Sequence, residues 1–235
     1  MSAAPDNTRA AIVLAIGIVL AGYFVGNALI EARSSERKVS VRGLAEREVP
    51  ANLALWPIVF TVTSNDLGSL QQKADAGVAT VREFLAKDFP AEQVSVSAPR
   101  VQDREAQRLN RDGAQIDRYA AEVAVTLRTD RIDAAKKAIE KTGELVKQGV
   151  PVMRSYEYNT QYLFTALETI KPQMIAEATK DARRAAEQFA KDSGSEVGAI
   201  RTAQQGLFSI ADRDQFSPEI KTVRVVTTVE YYLGD

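Results

Sequence analysis

The sequence predicts an α+β protein: antiparallel sheet with three packed helices, preceded by one N-terminal transmembrane helix. Three observations carry this. Residues 10–30 form an uninterrupted apolar run. Several later stretches alternate apolar and polar side chains with period two, and three longer ones carry apolar residues at helical spacing. The strands come in adjacent pairs rather than in regular β-α-β alternation, which favours antiparallel sheet.

The apolar run reads A-A-I-V-L-A-I-G-I-V-L-A-G-Y-F-V-G-N-A-L-I, with Asn27 its one strongly polar side chain. As a helix rising about 1.5 Å per residue it covers about 31 Å, the thickness of a bilayer core. It is apolar on every side, unlike an amphipathic core helix. Its length fits an uncleaved signal anchor better than a signal peptide, although Gly26-Asn27-Ala28 also suits a cleavage site. The expected organisation is an N-terminal cytoplasmic tail (1–9), the signal anchor (10–30) with the lipid bilayer as its partner, a polar stem (31–38) and one domain (39–235). Gly22 and Gly26 form a G-x-x-x-G, a spacing that lets two helices approach closely in lipid.

Flanking charge bears on orientation. Arg9 is the one basic residue before the run, whereas Arg33, Arg37, Lys38 and Arg42 come after it. Counted simply, the positive-inside rule places the carboxyl side in the cytoplasm.

Composition removes several function classes. The 235 residues hold 30 basic and 31 acidic side chains, a net charge of -1, with no histidine and no cysteine. Balanced charge without basic runs argues against nucleic-acid binding. Without His or Cys there is no Ser-His-Asp or Cys-His catalysis, no ordinary zinc site and no disulfide. The sequence offers no catalytic, cofactor-binding or metal-ligating set.

The elements come in order. Residues 39–49 alternate as a strand ending at Pro50. Residues 52–63 form a second strand with Trp56, Ile58 and Phe60 on one face and Leu53, Leu55 and Val59 on the other. Apolar residues on both faces suggest double burial or an oligomer contact, so Trp56, Ile58 and Phe60 join Gly22 and Gly26 as candidate self-association residues. Pro57 cannot donate to a ladder and predicts an edge or a bulge. A helix over 67–87 is capped by Asp66, with Leu67, Leu70, Ala74, Val78, Val81 and Leu85 along its stripe. Strands over 93–101 and 118–127 pair across a polar tip holding Asp103, Arg104, Glu105, Arg108, Arg111, Asp112-Gly113 and Asp117. A second helix over 130–148 is capped by Asp130, buries Ile132, Ala135, Ile139 and Val146, and ends at Gly149-Val150-Pro151. Residues 152–164 are extended, with Tyr156, Tyr158, Tyr162 and Phe164 in a row that reads as core. A third helix starts near Pro172, runs through Ile175, Ala178, Ala182, Ala185, Ala186 and Phe189, and stops at Gly194. Strands over 197–210 and 219–233 close the chain.

Two motifs now carry a resemblance. V-R-G-L-A-E-R-E-V (41–49) followed by L-A-L-W-P-I (53–58), and later A-x-x-D-A-R-x-x-A-E (178–187) with the closing strand (222–233), resemble SIMPL-domain proteins. The similarity covers about 39–233. It implies a bacterial envelope protein, periplasmic or surface-associated; joined to the anchor, the expectation is a single pass in the inner membrane with the domain in the periplasm. It further implies a homo-oligomer and, for some members, protection against oxidative stress. It supplies no catalytic residues. The retained anchor departs from relatives exported with a cleavable signal.

The functional expectation is a non-enzymatic protein acting through self-assembly or a protein partner whose identity the sequence leaves open. The alternatives are a carboxylate-dependent hydrolase, using Glu46 with Glu48 or Asp212 with Asp214 as acid and base, and a small-ligand-binding periplasmic protein.

Overall fold

The structure is a computed structural model that describes residues 7–34, 37–106, 116–153 and 158–234. It combines helices with antiparallel sheet, as expected. The first element is helix α1 (Asn7–Ser34). Its segment Ala11–Ala28 is long and apolar enough to cross a membrane, and none of it is buried. The helix continues through Ser34, so the first half of the expected stem is helical, and strand β1 (Lys38–Pro50) begins shortly after.

Next along the chain are β2 (Leu53–Ser64), α2 (Leu67–Ala86), β3 (Val94–Val96), β4 (Arg100–Asp103), β5 (Tyr119–Thr129), α3 (Ile132–Glu140) and α4 (Gly143–Lys147). Then come β6 (Val152–Met153), β7 (Gln161–Leu163), α5 (Leu167–Ser193), β8 (Glu196–Gln205), β9 (Ser209–Asp212) and β10 (Ile220–Gly234). They divide into two compact units. The first comprises Met1–Glu46, Ile170–Ser209 and Arg224–Asp235; the second comprises Arg47–Thr169 and Ile210–Val223. The stretch read as one domain, 39–235, contributes to both.

In the first unit the strand order is β1-β10-β8. β8 runs antiparallel to β10, from Gly234 opposite Glu196 to Thr227 opposite Gln205. α5 lies on one face through a strict stripe of Met174, Ala178, Ala182, Ala186 and Ala190, every one buried. Ala182 and Ala186 pack with Val39, Val229 and Tyr231. The stripe is narrower than expected: Ala185 is exposed and Phe189 is 57 % exposed. Alanine spaced by four lets the helix axis close on the sheet, and that leaves little room for larger neighbours. Pro172 sits inside α5 rather than at its start, because the first turn begins at Leu167. Gly194, at φ 69°, ends the helix in the left-handed conformation, as expected.

In the second unit the sheet order is β3-β5-β2-β6, with β4 on β5 and β7 on β2. β2 is therefore an interior strand. Its register with β5 runs unbroken from Ala54 opposite Thr129 to Ser64 opposite Tyr119, so Pro57 makes no bulge. On the other side β7 pairs Leu53 to Leu55 and β6 pairs Val59 and Phe60, which leaves Pro57 in the gap between them. A residue without an N–H is accommodated where no partner strand asks for one. The strand expected over 93–101 is two pieces. β3 sets Val96 opposite Val125 and β4 sets Arg100 opposite Glu122, so the register slips by one residue across the segment containing Pro99.

α2 starts as the sequence predicts: the Asp66 carboxylate accepts from the Ser69 amide at 2.8 Å. Leu70, Ala74, Val81, Phe84 and Leu85 are its buried residues, while Leu67 lies on the open side. The helix expected over 130–148 is broken into α3 and α4. Its cap position is Arg131 rather than Asp130. The Lys141 and Thr142 amides bond back to Ala138 and Ile139, a tighter turn that Gly143 extends at little steric cost. The break shifts the helical phase, so Leu145 is buried and Val146 is 56 % exposed, the reverse of the expected stripe. The expected terminator holds, with Gly149 at φ 87°.

Candidate functional site

The second unit holds an open cleft of about 870 Å³, lined by the turn before α3, one face of α3, the Pro50-Ala51 corner, Asp88 and the Glu219-Ile220 corner. α3 places these side chains by elementary helix geometry. Ala135 and Ala138 turn to the core, so Asp133, Lys136 and Lys137 project away from it. Arg131, just before the helix, donates from Nη1 to the Asp88 carbonyl at 2.6 Å and lies with its guanidinium 5.8 Å from the Phe89 ring centroid. Lys141 comes directly after the last turn.

At one end of the cleft Lys136 Nζ donates to Glu219 Oε1 at 2.5 Å. That bond holds the Glu219 carboxyl below its ordinary range and raises the Lys136 ammonium. Tyr162, buried nearby, has its phenol pushed up by burial, an effect that the Lys136 charge opposes. The lining holds four cations, Arg131, Lys136, Lys137 and Lys141, against four carboxylates, Asp88, Asp130, Asp133 and Glu219. Such a lining can orient a small polar or anionic molecule by charge-assisted hydrogen bonds.

The sequence pointed elsewhere. Trp56, Ile58 and Phe60 are 5 %, 0 % and 0 % exposed and belong to the core of the second unit with Ala74, Val81 and Leu85. Trp56 meets Phe84 edge to face at 6.5 Å. Their apolar character is thus accounted for by the core, not by a partner. On the opposite face Val59 is also fully buried, while Leu53, Leu55 and Pro57 remain half-buried. Gly22 and Gly26 lie on α1, where an added Cβ would meet nothing within 4 Å.

The candidate acid pairs meet solvent and cations. Glu46 and Glu48 are exposed. Arg213 reaches Glu48 at 3.5 Å and Asp214 at 2.9 Å. The Arg213 bond holds the Asp214 carboxyl below its usual range. Asp212 pairs with Lys221, whose side chain is buried. Each of Glu48, Asp212 and Asp214 therefore faces a cation.

Of the polar tip, Asp103 pairs with Arg118 at 2.9 Å, and Asp117 accepts from Thr63 at 2.6 Å. Arg108, Arg111 and Asp112-Gly113 lie outside the described residues. Of the tyrosine row, Tyr162 is core, Tyr158 donates to Glu122 at 2.8 Å, and Tyr156 lies outside the described residues. The cleft itself went unread in the sequence. Lys136, Lys137 and Lys141 beside Asp133 give a local signal of a charged face, but Glu219 arrives from a distant turn.

An apolar N-terminal helix ahead of helices packed on antiparallel sheet defines a domain protein carrying a candidate membrane anchor. The family model for SIMPL, described as a protein of unknown function (DUF541), matches residues 39–231, and the chain belongs to that family. No curated protein matches the chain.

Proposed function

We propose that this chain is a single-pass inner-membrane protein whose SIMPL domain stands in the periplasm. It acts without catalysis, through assembly with copies of itself or binding of a protein partner, in protection of the envelope, including against oxidative stress. The observation that carries this reading is the exposed apolar helix Ala11–Ala28 running almost directly into the family domain. A tether of this kind gives a domain a fixed address and a high local concentration of neighbours. Flanking charge favours the opposite orientation, so the side of the membrane is the first thing to measure. Protease treatment of spheroplasts carrying a C-terminal tag removes the tag if the domain is periplasmic. Survival of the tag reverses the orientation. Sizing of the detergent-extracted protein gives an oligomer on this reading, and a monomer overturns the assembly part of it.

A second reading, a small-ligand-binding protein, is favoured by the charged cleft beside α3. Its test is a thermal-shift screen of the extracted protein against small carboxylates, phosphates and amines. Stabilisation that disappears in Lys137→Ala and Lys141→Ala variants supports it. An unchanged transition throughout the screen removes it.

A further inference from the structure

We propose that the end of the first unit formed by the last turns of α5 rests on the lipid surface, with Phe189 as its apolar contact. The inference builds on the anchor reading and adds which face of the domain meets the bilayer.

The argument starts from chain length. From Ile30 to Ser34 the helix advances about 6 Å. The four steps from Ser34 to Lys38 add about 14 Å even fully extended. The start of β1 therefore stays within about 20 Å of the hydrocarbon edge. The chain is also fastened there, because the Leu233 amide donates to the Arg37 carbonyl at 3.0 Å. The ends of β1 and β10 are thus held together at the tether.

α5 runs toward that same end. Gly43 sits against Ala178 and Ala182, while Val39 packs with Ala182 and Ala186. As α5 advances, its neighbours on β1 step backward toward Lys38. Phe189 lies one turn beyond Ala185 and three residues past Ala186, at the level of the tethered end. An isolated exposed phenylalanine is ordinary on a protein surface. This one is 57 % exposed, at the end that the tether keeps within about 20 Å of the hydrocarbon edge. Lys191 lies two residues on and is exposed, with an aliphatic stem long enough to carry its charge to nearby headgroups. On the sheet face away from α5, Tyr232, half-buried, occupies the same end of β10. Aromatic rings with adjacent lysine are the composition that settles at the lipid interface.

The chain contains no cysteine, so single substitutions give specific labels. The full-length protein is reconstituted in vesicles of phosphatidylethanolamine and phosphatidylglycerol. A polarity-sensitive fluorophore is attached to Phe189→Cys or, as the control, to Leu207→Cys. Leu207 is 96 % exposed and lies past the far end of β8, in the same unit. Brominated lipid is expected to quench the label at 189 and leave the label at 207 unchanged, with aqueous iodide doing the reverse. Flotation of alkali-washed vesicles separates the two readings. If the protein floats and both labels respond only to iodide, the docking inference is overturned and the anchor stands. If the protein fails to float, the anchor reading falls and the inference with it.

Discussion

The Leu44 backbone amide donates to Oδ2 of Asp181 at 2.9 Å, across 137 residues of sequence. Arg184 holds the other oxygen, Oδ1, at 2.6 Å. Leu44 belongs to V-R-G-L-A and Asp181 to A-x-x-D-A-R, so the two motifs of the family resemblance are halves of one contact. β1 is the terminal strand in its sheet order, and its outward amide is answered by a helix carboxylate instead of another strand. The Leu44 bond, with Arg184 second, holds the Asp181 carboxyl below its ordinary value of 3.8. A depressed carboxylate contributes stability that is complete above its unfolded pKa and is lost as the pH falls through the lower folded value. Asp181→Ala is expected to cost about 1–2 kcal/mol at neutral pH, and Asp181→Asn less, since it keeps an acceptor. The difference between wild type and Asp181→Asn should begin to shrink as the pH drops below 3.8 and vanish once the pH is under the lower folded value. Urea denaturation of the detergent-extracted protein at stepped pH measures both.

Gly43, next to Leu44, is a question of space. A Cβ there would collide with the Ala178 carbonyl and the Ala182 amide nitrogen. Both obstacles are backbone, so no rotamer change relieves them. Overpacking that side chains absorb costs about 1–3 kcal/mol, and Gly43→Ala is expected at the top of that range or beyond. The paired change at Ala185, which is exposed, to Ser should be within about 0.5 kcal/mol of wild type. Equal melting temperatures for the two variants would show that α5 does not press on β1 as described.

The broken helix after β5 shows where sequence reading succeeds and where it stops. Element type was legible wherever period and caps are local: Asp66 caps α2, and Gly149 and Gly194 end their helices as read. The phase within 130–148 was not, because Thr142-Gly143 interrupts the helix and rotates the turn beyond it. Leu145→Ala should therefore cost about 2–5 kcal/mol, while Val146→Ala should fall within about 0.5 kcal/mol of wild type. Chemical denaturation of both variants checks the phase. The same limit explains the site. Trp56, Ile58 and Phe60 announce burial but not the side chains that cover them, and Lys136 gives no hint that Glu219 will meet it.

The Lys136–Glu219 pair offers a pH test with two sides. Glu219 is lowered from 4.5, so its share of stability is lost as acid is added below that value. Lys136 is raised from 10.5, so its share is complete below that value and is lost as the pH rises through the higher folded one. The pair therefore gives a plateau between the two. Both side chains are partly solvated, at 43 % and 23 % exposure, so a double-mutant cycle with Lys136→Met and Glu219→Gln should return about 1 kcal/mol or less at neutral pH. A coupling that survives in strong salt would mark the cleft as better shielded from solvent than its wide mouth suggests.

Self-association through the span has a clean genetic test. Gly22 and Gly26 stand on α1 with nothing within 4 Å of an added Cβ, so isoleucine at either position leaves the single chain undisturbed. In a helix pair, a β-branched side chain at both positions would hold the two backbones apart and remove the close contact that drives association in lipid. Gly22→Ile and Gly26→Ile are each expected to reduce the reporter signal of a membrane two-hybrid assay of the span. Gly17→Ile serves as the control, since Gly17 is also open but lies outside the pair. Equal signal from all three variants and wild type would leave the span as a tether alone and move any assembly of this protein to its SIMPL domain.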